Sequence, residues 1–293
     1  MSDALLAYLN GKYLPRSEAC LPIMDRGLLF GDSVYEVIPA YGGQPFRIAH
    51  HLDRLTRSLA ALRMPPPLDY QAWHEVICRL TQQLPKQDQS VYLQVTRGAH
   101  PIRRLPIPKD CQPNVFAFTS LKPSHDDAEL ARGISAVTLQ DLRWHQCNIK
   151  ATTLLANVLA RAQADEAGAD EAIFIRDEEA TEGTASNLFI VSGGLLITPP
   201  VSEELLPGVT RDVVLELAEK AGIPFAEARI SRETLAQADE VWLTSSTREV
   251  GAVVRLDDQP VGNGKPGPHW HQMHGLFQDY TGQLREREEC HDN

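Results

Sequence analysis

Short β-strand patterns, separated by turn residues and interrupted by helical patterns, most constrain the fold of this chain. Residues 7–9 and 12–14 are strand-like and flank Asn10-Gly11, the dipeptide that most favours a two-residue hairpin turn. Apolar residues then recur at helical spacing over residues 52–62. This order of hairpin, helix and further strands predicts a small α+β unit in the first third of the chain.

A polar segment divides the chain. Residues 122–132 are polar and contain a proline, which is typical of a linker. The chain has 293 residues, and a typical domain has roughly 100 to 200, so two domains are expected. We predict a small α+β domain over residues 1–121 and a larger α/β domain over residues 133–284. Residues 285–293 are strongly charged and are expected to form a frayed tail.

The composition excludes several classes of protein. A formal charge of −11 at pH 7 would repel a nucleic-acid backbone or an anionic membrane. No apolar run approaches the roughly 18 residues that span a bilayer, and the N-terminus lacks the pattern of a secretory signal. The five cysteines are widely separated and contain no C-x-x-C pair. We therefore expect a cytoplasmic protein with reduced thiols, no disulfide framework and no metal site.

Two polar segments have the character of a phosphate site. Gly208 would let the backbone approach a ligand closely, and Val209 and Thr210 begin a helical pattern whose N–H groups and positive dipole end favour an anion. The hydroxyl-rich residues 244–247 follow a predicted strand, and ligands often bind at strand ends in α/β folds. Each segment taken singly is more typical of an ordinary loop or turn than of a phosphate site.

Lys150 and Glu182 are the candidate catalytic residues. Lys150 lies between a short apolar stretch and a strongly helical segment, and an amine in partly apolar surroundings can act as a Schiff-base nucleophile. Glu182 lies in a turn-prone stretch of small residues, where the backbone can approach a ring closely. A cofactor ring that serves as an electron sink needs an acidic group near its nitrogen. Either residue alone would more often be a solvated surface charge.

A set of short segments spans nearly the whole chain, from about Tyr8 to Leu284. The segments are 30–38 (FGDSVYEVI), 51–55 (HLDRL), 141–144 (DLRW) with 149–150 (IK), 181–183 (TEG) with 186–187 (SN), 208–212 (GVTRD) and 244–247 (TSST). In this order they resemble the class IV aminotransferase family, the fold-type IV pyridoxal-phosphate enzymes, and most closely its D-amino acid aminotransferases.

The resemblance implies a fold, a cofactor and a set of roles. It implies a small α+β domain, a larger domain with a barrel-like sheet, and pyridoxal phosphate between them in a homodimer. Lys150 would form the Schiff base with the cofactor and shuttle the proton, and Glu182 would pair with the pyridinium. The phosphate would be bound by Arg54, Val209, Thr210, Ser246 and Thr247. Because Lys150 and Glu182 are both present, a non-catalytic binding scaffold is disfavoured.

The substrate pocket must decide among members of the family. Tyr35 would line this pocket, and the strand around it is similar to that of D-amino acid aminotransferases. Those enzymes typically grip the substrate carboxylate with Arg-x-His, whereas this chain has Ile102-Arg103-Arg104 there. We predict transamination between D-amino acids, such as D-alanine or D-glutamate, and a 2-oxo acid, with Arg103 or Arg104 at the carboxylate. A branched-chain L-amino acid aminotransferase and an aminodeoxychorismate lyase stay open as alternatives.

Overall fold

A computed structural model describes residues 5–123, 127–287 and 290. Contacts between residues divide the chain into two compact units. The first unit contains Met1–Pro123, Ile149–Thr153 and Gly282–Asn293, and the second contains Ser124–Asn148 and Leu154–Thr281. The short segment Ile149–Thr153 therefore belongs to a different unit from the chain on either side of it. Within the described residues, every helix is too short or too polar to cross a membrane.

The first unit is an antiparallel sheet with helices. Its strands are β1 (Leu6–Leu9), β2 (Lys12–Pro15), β3 (Ser33–Tyr41), β4 (Gln44–Pro45), β5 (Gln89–Thr96) and β6 (Asn114–Leu121). Its helices are α1 (Arg26–Phe30), α2 (Ile48–Ala61) and α3 (Tyr70–Thr81). The strand order is β2-β1-β6-β5-β3-β4, and each neighbouring pair is antiparallel.

Local sequence explains the first hairpin and helix α2. Asn10 and Gly11 connect β1 to β2 with φ values of 47° and 87°, the left-handed conformation that a tight hairpin turn requires. Helix α2 buries a leucine stripe in the core of the unit. Its polar residues His51, Arg54 and Ser58 are also buried. Buried polar side chains need hydrogen-bond partners, so this face of α2 must make polar contacts as well as pack against the core.

The second unit contains helices α4 to α8 and strands β7 to β16. Its helices are α4 (Asp127–Arg132), α5 (Leu155–Glu166), α6 (Val209–Ala221), α7 (Arg232–Ala236) and α8 (Pro268–Arg285), of which residues 282–285 belong to the first unit. Its strands are β7 (Ile134–Gln140), β8 (Glu171–Arg176), β9 (Glu179–Gly183), β10 (Asn187–Ser192), β11 (Leu195–Thr198), β12 (Phe225–Glu227), β13 (Ile230–Ser231), β14 (Glu240–Ser245), β15 (Glu249–Leu256) and β16 (Gln259–Pro260).

Part of the larger sheet closes into a barrel. The strands run β10-β14-β15-β7-β8-β9, and β9 pairs again with β10 through Glu182 and Asn187. Strands β7 and β8 are parallel to each other, as are β15 and β7. Every residue of β8 is buried, which agrees with a strand covered on both faces. The barrel-like sheet of the larger domain was predicted from the sequence and is confirmed.

The linker segment and the cysteines depart from simple expectations. Residues 127–132 of the segment predicted as a linker form α4. The expectation that every cysteine is reduced is wrong, because Cys78 and Cys290 form a disulfide with a Cα–Cα distance of 5.9 Å. These residues are 212 positions apart, and only the fold brings them together. Among the described residues, Cys20, Cys111 and Cys147 are free thiols.

Candidate active site

The backbone of Lys150 is hydrogen-bonded to strand β3 and to helix α2 of the first unit. The Tyr35 N–H donates to the Lys150 carbonyl at 3.0 Å, and the Thr152 N–H donates to the Ser33 carbonyl at 3.1 Å. The Lys150 N–H donates to Ser58 Oγ at 3.1 Å. The segment Ile149–Thr153 therefore acts as a short extra strand that fixes where the Lys150 side chain begins.

The Lys150 ammonium lies against an aromatic row. Its Nζ is 4.4 Å from the centroid of the Tyr35 ring, and Tyr35 stacks on Tyr92 with 5.7 Å between centroids. Tyr92 also stacks on Phe116 and Phe118. Burial raises the pKa of Tyr92 to about 12, so this phenol stays neutral. The amine thus lies against an aromatic ring, and its role as a Schiff-base nucleophile stays a prediction.

Arg54 lies in a buried charge cluster with Glu36 and His51. Its Nε donates to Glu36 Oε1 at 2.8 Å, and its Nη2 donates to Glu36 Oε2 at 2.7 Å. Glu36 and His51 are both fully buried. Burial disfavours the charge on Glu36, but Arg54 and His51 outweigh it and hold the pKa of this carboxyl far below its usual range. The two hydrogen bonds to Glu36 fix the orientation of the Arg54 guanidinium.

His51 completes this cluster as a neutral ring. Its Nδ1 lies 2.8 Å from Glu36 Oε2, and because that ionised carboxylate can only accept, Nδ1 carries the proton. Burial lowers the pKa of His51, although Glu36 opposes the effect. Its Nε2 is buried and, within the part of the chain that the structure describes, has no hydrogen-bond partner. Sequence reasoning gave neither Glu36 nor His51 a role, although both lie in the segments that carry the family resemblance.

Glu182 lies in β9 of the second unit, at the bridge that closes the barrel. The sequence indicated a turn there, but the pairing with Asn187 makes it a strand end. Arg143 Nη1 donates to Glu182 Oε1 at 2.5 Å, and the Leu206 N–H donates to Oε2 at 3.0 Å. Burial raises the pKa of the Glu182 carboxyl, and Arg143 partly offsets this effect. Glu182 is therefore a buried carboxyl with defined donors.

Arg143 is the functional candidate that sequence reasoning left without a role. Asp141 Oδ2 accepts from Arg143 Nη2 at 2.8 Å and lies 2.9 Å from Arg176 Nη2. Burial disfavours the charged guanidinium, but Asp141 and Glu182 outweigh it and raise the pKa of Arg143. The available signal was the Asp-Leu-Arg-Trp segment, which carries part of the family resemblance and places two opposite charges two residues apart.

Helix α6 begins at Val209, where the sequence predicts a phosphate site. Its N-cap residue is Gly208, which provides no side-chain cap, and the first N–H groups of a helix have no partner within it. Val209 and Thr210 are buried. A Cβ on Gly208 would collide with Asn187 Oδ1, so glycine is required there for close packing. The helix start that the sequence predicted is present, and its role in binding a phosphate stays a prediction.

Hydroxyl groups near the end of β14 extend the polar surroundings in this unit. Ser186 Oγ and Thr244 Oγ1 are buried and have no hydrogen-bond partner among the described residues. Ser246 and Thr247 lie in the turn after β14, and α6 packs against β14. Thr247 Oγ1 lies 3.4 Å from Ser245 Oγ. Buried hydroxyls without partners are costly.

Arg103 and Arg104 lie in the loop that follows β5. Both are exposed. The Arg103 guanidinium lies 4.9 Å from the centroid of the Phe30 ring, and Arg104 Nη2 donates to His100 Nε2 at 3.3 Å. Arg26 Nη1 donates to the Arg104 carbonyl at 2.6 Å and so anchors the loop backbone. A role for either arginine at the substrate carboxylate stays a prediction.

Comparisons with known proteins agree with this geometry. The family model described as amino-transferase class IV matches residues 33–256. The D-alanine aminotransferase of Bacillus licheniformis is 39% identical over 259 residues, which cover 88% of this chain and 91% of the relative. A solved T.th. branched-chain amino acid aminotransferase with pyridoxamine 5'-phosphate has a TM-score of 0.87 at 27% identity, covering 97% of this chain and 96% of that one.

A second solved structure leads to the same assignment. The branched-chain amino acid aminotransferase of Escherichia coli has a TM-score of 0.86 at 26% identity, covering 99% of this chain and 97% of that one. The barrel and the small antiparallel unit are therefore those of a fold-type IV enzyme, as the sequence predicted. The chain belongs to the class IV aminotransferase family.

Proposed function

We propose that this aminotransferase moves the amino group of D-amino acids, of the D-alanine or D-glutamate type, to a 2-oxo acid with pyridoxal phosphate as its cofactor. The observation that carries the proposal is the placement of Lys150, whose backbone is fixed by β3 and Ser58 and whose Nζ lies over Tyr35. The D-alanine donor is supported by the name of the Bacillus licheniformis relative, which is 39% identical to this chain.

The side chains present fit the chemical groups of pyridoxal phosphate. An aldehyde needs an amine, a ring nitrogen needs an acid and a phosphate needs N–H and guanidinium donors. Lys150 offers the amine, and Glu182 offers a buried carboxyl. The proposed phosphate ligands are Arg54, Val209, Thr210, Ser246 and Thr247. When bound, the cofactor supplies an electron sink for the substrate's α-carbon.

Each protein group then has a defined task. Lys150 Nζ would accept the proton from the substrate's α-carbon and would hold it for its return later in the transfer. Arg143 keeps the carboxyl of Glu182 oriented, because it donates to Oε1 while Asp141 holds its other nitrogens. Glu36 holds the Arg54 guanidinium in place through two hydrogen bonds. Tyr35 covers the Lys150 side chain and lines the substrate pocket. We also propose that the protein is a homodimer.

The substrate carboxylate requires a cation, and the position of that cation decides whether the D or the L configuration is accepted. We assign this task to Arg103 or Arg104, acting with Tyr35, because their loop takes the position of the Arg-x-His grip. Removing a charged grip on a carboxylate costs about 2 to 3 kcal/mol in transition-state binding, seen in kcat/KM for the amino acid. If Arg103→Ala and Arg104→Ala both leave kcat/KM unchanged, this carboxylate site is wrong.

A donor screen tests the proposed substrate. D- and L-amino acids are offered with 2-oxoglutarate and with pyruvate, and we expect D-alanine or D-glutamate to react fastest. The second candidate is a branched-chain L-amino acid aminotransferase, favoured by the structural similarity to two such enzymes with TM-scores of 0.87 and 0.86. If L-leucine or L-isoleucine is the best donor, this second function replaces the first.

The assignment of the lysine has a separate test. Purified protein should show the visible absorption of lysine-bound pyridoxal phosphate, and Lys150→Ala should lose both this absorption and activity. Borohydride reduction followed by peptide mapping should place the label on Lys150. A label on Lys12, Lys86 or Lys220 would contradict the assignment without bearing on which amino acid is the donor.

A further inference from the structure

Two cysteines and a histidine meet in the first unit and take no part in the proposed transamination. Cys78 lies on α3 and forms a disulfide with Cys290, which follows α8. His74 precedes Cys78 by one helical turn, and its Nδ1 and Nε2 lie 3.7 Å and 3.8 Å from Cys78 Sγ. The Sγ atoms and the imidazole lie within 4.8 Å of one another. This placement combines a sulfur pair with a base.

The sulfur pair faces an accessible cavity. Cys78, Cys290 and His74 all line a cavity of about 1040 Å³ in the first unit. Cys78 is 7% exposed and Cys290 is half-buried. Exchange of a disulfide requires an external thiolate to reach one sulfur, and Cys290 is the more exposed of the two and lines this cavity. The cavity is large enough to admit a small thiol.

The chain end that carries Cys290 has other contacts with the first unit. Arg285 forms an ion pair with Asp88 at 2.8 Å, with side chains that are 37% and 34% exposed. Gln44 Nε2 donates to the Arg287 carbonyl at 3.3 Å. Exposed ion pairs contribute little to stability. The disulfide is therefore the strongest link in this set, and its oxidation state should control how firmly the chain end is held.

We propose that Cys78 and Cys290 are a redox-responsive pair, oxidised and reduced by exchange with a small-molecule thiol–disulfide couple, that fastens the C-terminal end of the chain to helix α3. In the oxidising direction, the Cys290 thiolate attacks the small disulfide, forms a mixed disulfide and releases one small thiol. The Cys78 thiol passes its proton to the His74 imidazole, and its thiolate attacks Cys290 Sγ and releases the second small thiol.

The sequence of steps balances in electrons and protons. Each exchange forms one S–S bond and breaks one. Overall, the two protein thiols lose two electrons and two protons, and the small disulfide gains them and becomes two thiols. Because His74 acts on a proton in the second step, it should set the rate of closure while leaving the equilibrium between the two states unchanged.

The test equilibrates the full-length holoenzyme with glutathione at a series of reduced-to-oxidised ratios. Free thiols are trapped at acid pH by alkylation and assigned by peptide mapping. We expect Cys78 and Cys290 to become protected together as the ratio becomes oxidising. Cys20 is exposed and unpaired and serves as an internal control that never forms this link. Amide exchange at residues 285–287 should be slower in the oxidised protein.

A kinetic variant tests the base. His74→Gln should slow disulfide closure about tenfold, since less of the Cys78 thiol is deprotonated, while the midpoint ratio stays that of the wild type. Cys290→Ser should abolish the protection of Cys78 and the change in amide exchange.

Three results would overturn the proposal. The pair could stay oxidised at every reducing ratio, which would make it a purely structural disulfide. It could stay reduced at every oxidising ratio, so that no link forms in solution. Reduced protein could retain Zn²⁺ on His74, Cys78 and Cys290 and resist oxidation, which would make the cluster a metal site instead.

Discussion

Arg54 has two roles that a designed set of variants separates. It is the counter-ion of Glu36, which is fully buried, and it is a proposed ligand of the cofactor phosphate. Arg54→Met leaves Glu36 with His51 Nδ1 as its remaining partner in the cluster. Removing one partner of a buried ion pair costs about 3 to 5 kcal/mol in the free energy of unfolding. We expect a loss of this size in urea denaturation of the cofactor-free protein.

The double variant should regain the lost stability without restoring Arg54 as the proposed phosphate ligand. In Glu36→Gln/Arg54→Met the buried charge is gone, and the amide oxygen can still accept from His51. We therefore expect the free energy of unfolding to return to within about 1 kcal/mol of the wild-type value, which is the contribution of one ordinary hydrogen bond. The proposed phosphate contact is absent from both variants, so cofactor binding should be weak in both.

The affinity for the cofactor gives the decisive measurement. Hydrogen bonds to a charged group contribute about 1.5 to 3 kcal/mol, and a loss of about 2 to 3 kcal/mol corresponds to a roughly 30- to 150-fold weaker Kd. Titration followed by visible absorption should show this loss in both Arg54 variants. Arg57→Met, at an exposed position of the same helix, is the matched control. Wild-type affinity in the double variant would show that Arg54 serves only as the counter-ion of Glu36.

Three further predictions concern other residues. Gly208→Ala should lower the free energy of unfolding by about 1 to 3 kcal/mol, because the new Cβ displaces the Asn187 amide and its buried hydrogen bonds. Thermal melts measure this loss, and Gly275→Ala, in open space on α8, is the control. Burial opposes ionisation of Asp32, but Arg97 and Arg26 lower its pKa. Its contribution is therefore present above about pH 4 and lost as the pH falls through the lowered value, so Asp32→Asn should flatten the acid limb of stability against pH. Glu182→Ala should leave the cofactor bound but slow the amino-donor half-reaction about 100-fold or more in stopped-flow measurements, because the ring nitrogen loses its acid partner.

Local chemistry made part of the fold predictable. The Asn10-Gly11 turn and the leucine stripe of α2 depend on neighbouring residues, and both form as the sequence indicated. The start of α6 at Val209 follows from the Gly208 segment in the same way. The barrel was implied by family resemblance, since closure depends on pairings such as Glu182 with Asn187 whose register no propensity gives.

Contacts between residues that are far apart in the chain explain the features that the sequence did not predict. Spacing along the chain cannot join Cys78 to Cys290, because 212 positions separate them. Nothing in the local sequence assigns Lys150 to the first unit, although its segment pairs with β3 there. The role of Glu36 was hidden for a different reason. A glutamate in a strand is usually solvated, and only the structure shows that Arg54 lies beside it.

The two proposed cofactor-binding regions share one electrostatic arrangement. In the first unit, Glu36 pairs with Arg54, and in the second unit, Arg143 pairs with Glu182. In each pair the residue proposed to contact the cofactor depends on a buried partner of opposite charge. A single substitution of Arg54 or Glu182 therefore removes a proposed ligand and also takes one charged partner away from a buried group, so a loss of activity alone overstates the role of the ligand. Paired substitutions that remove both charges are needed to measure the contact itself, and for Glu182 the matching pair is Glu182→Gln with Arg143→Met.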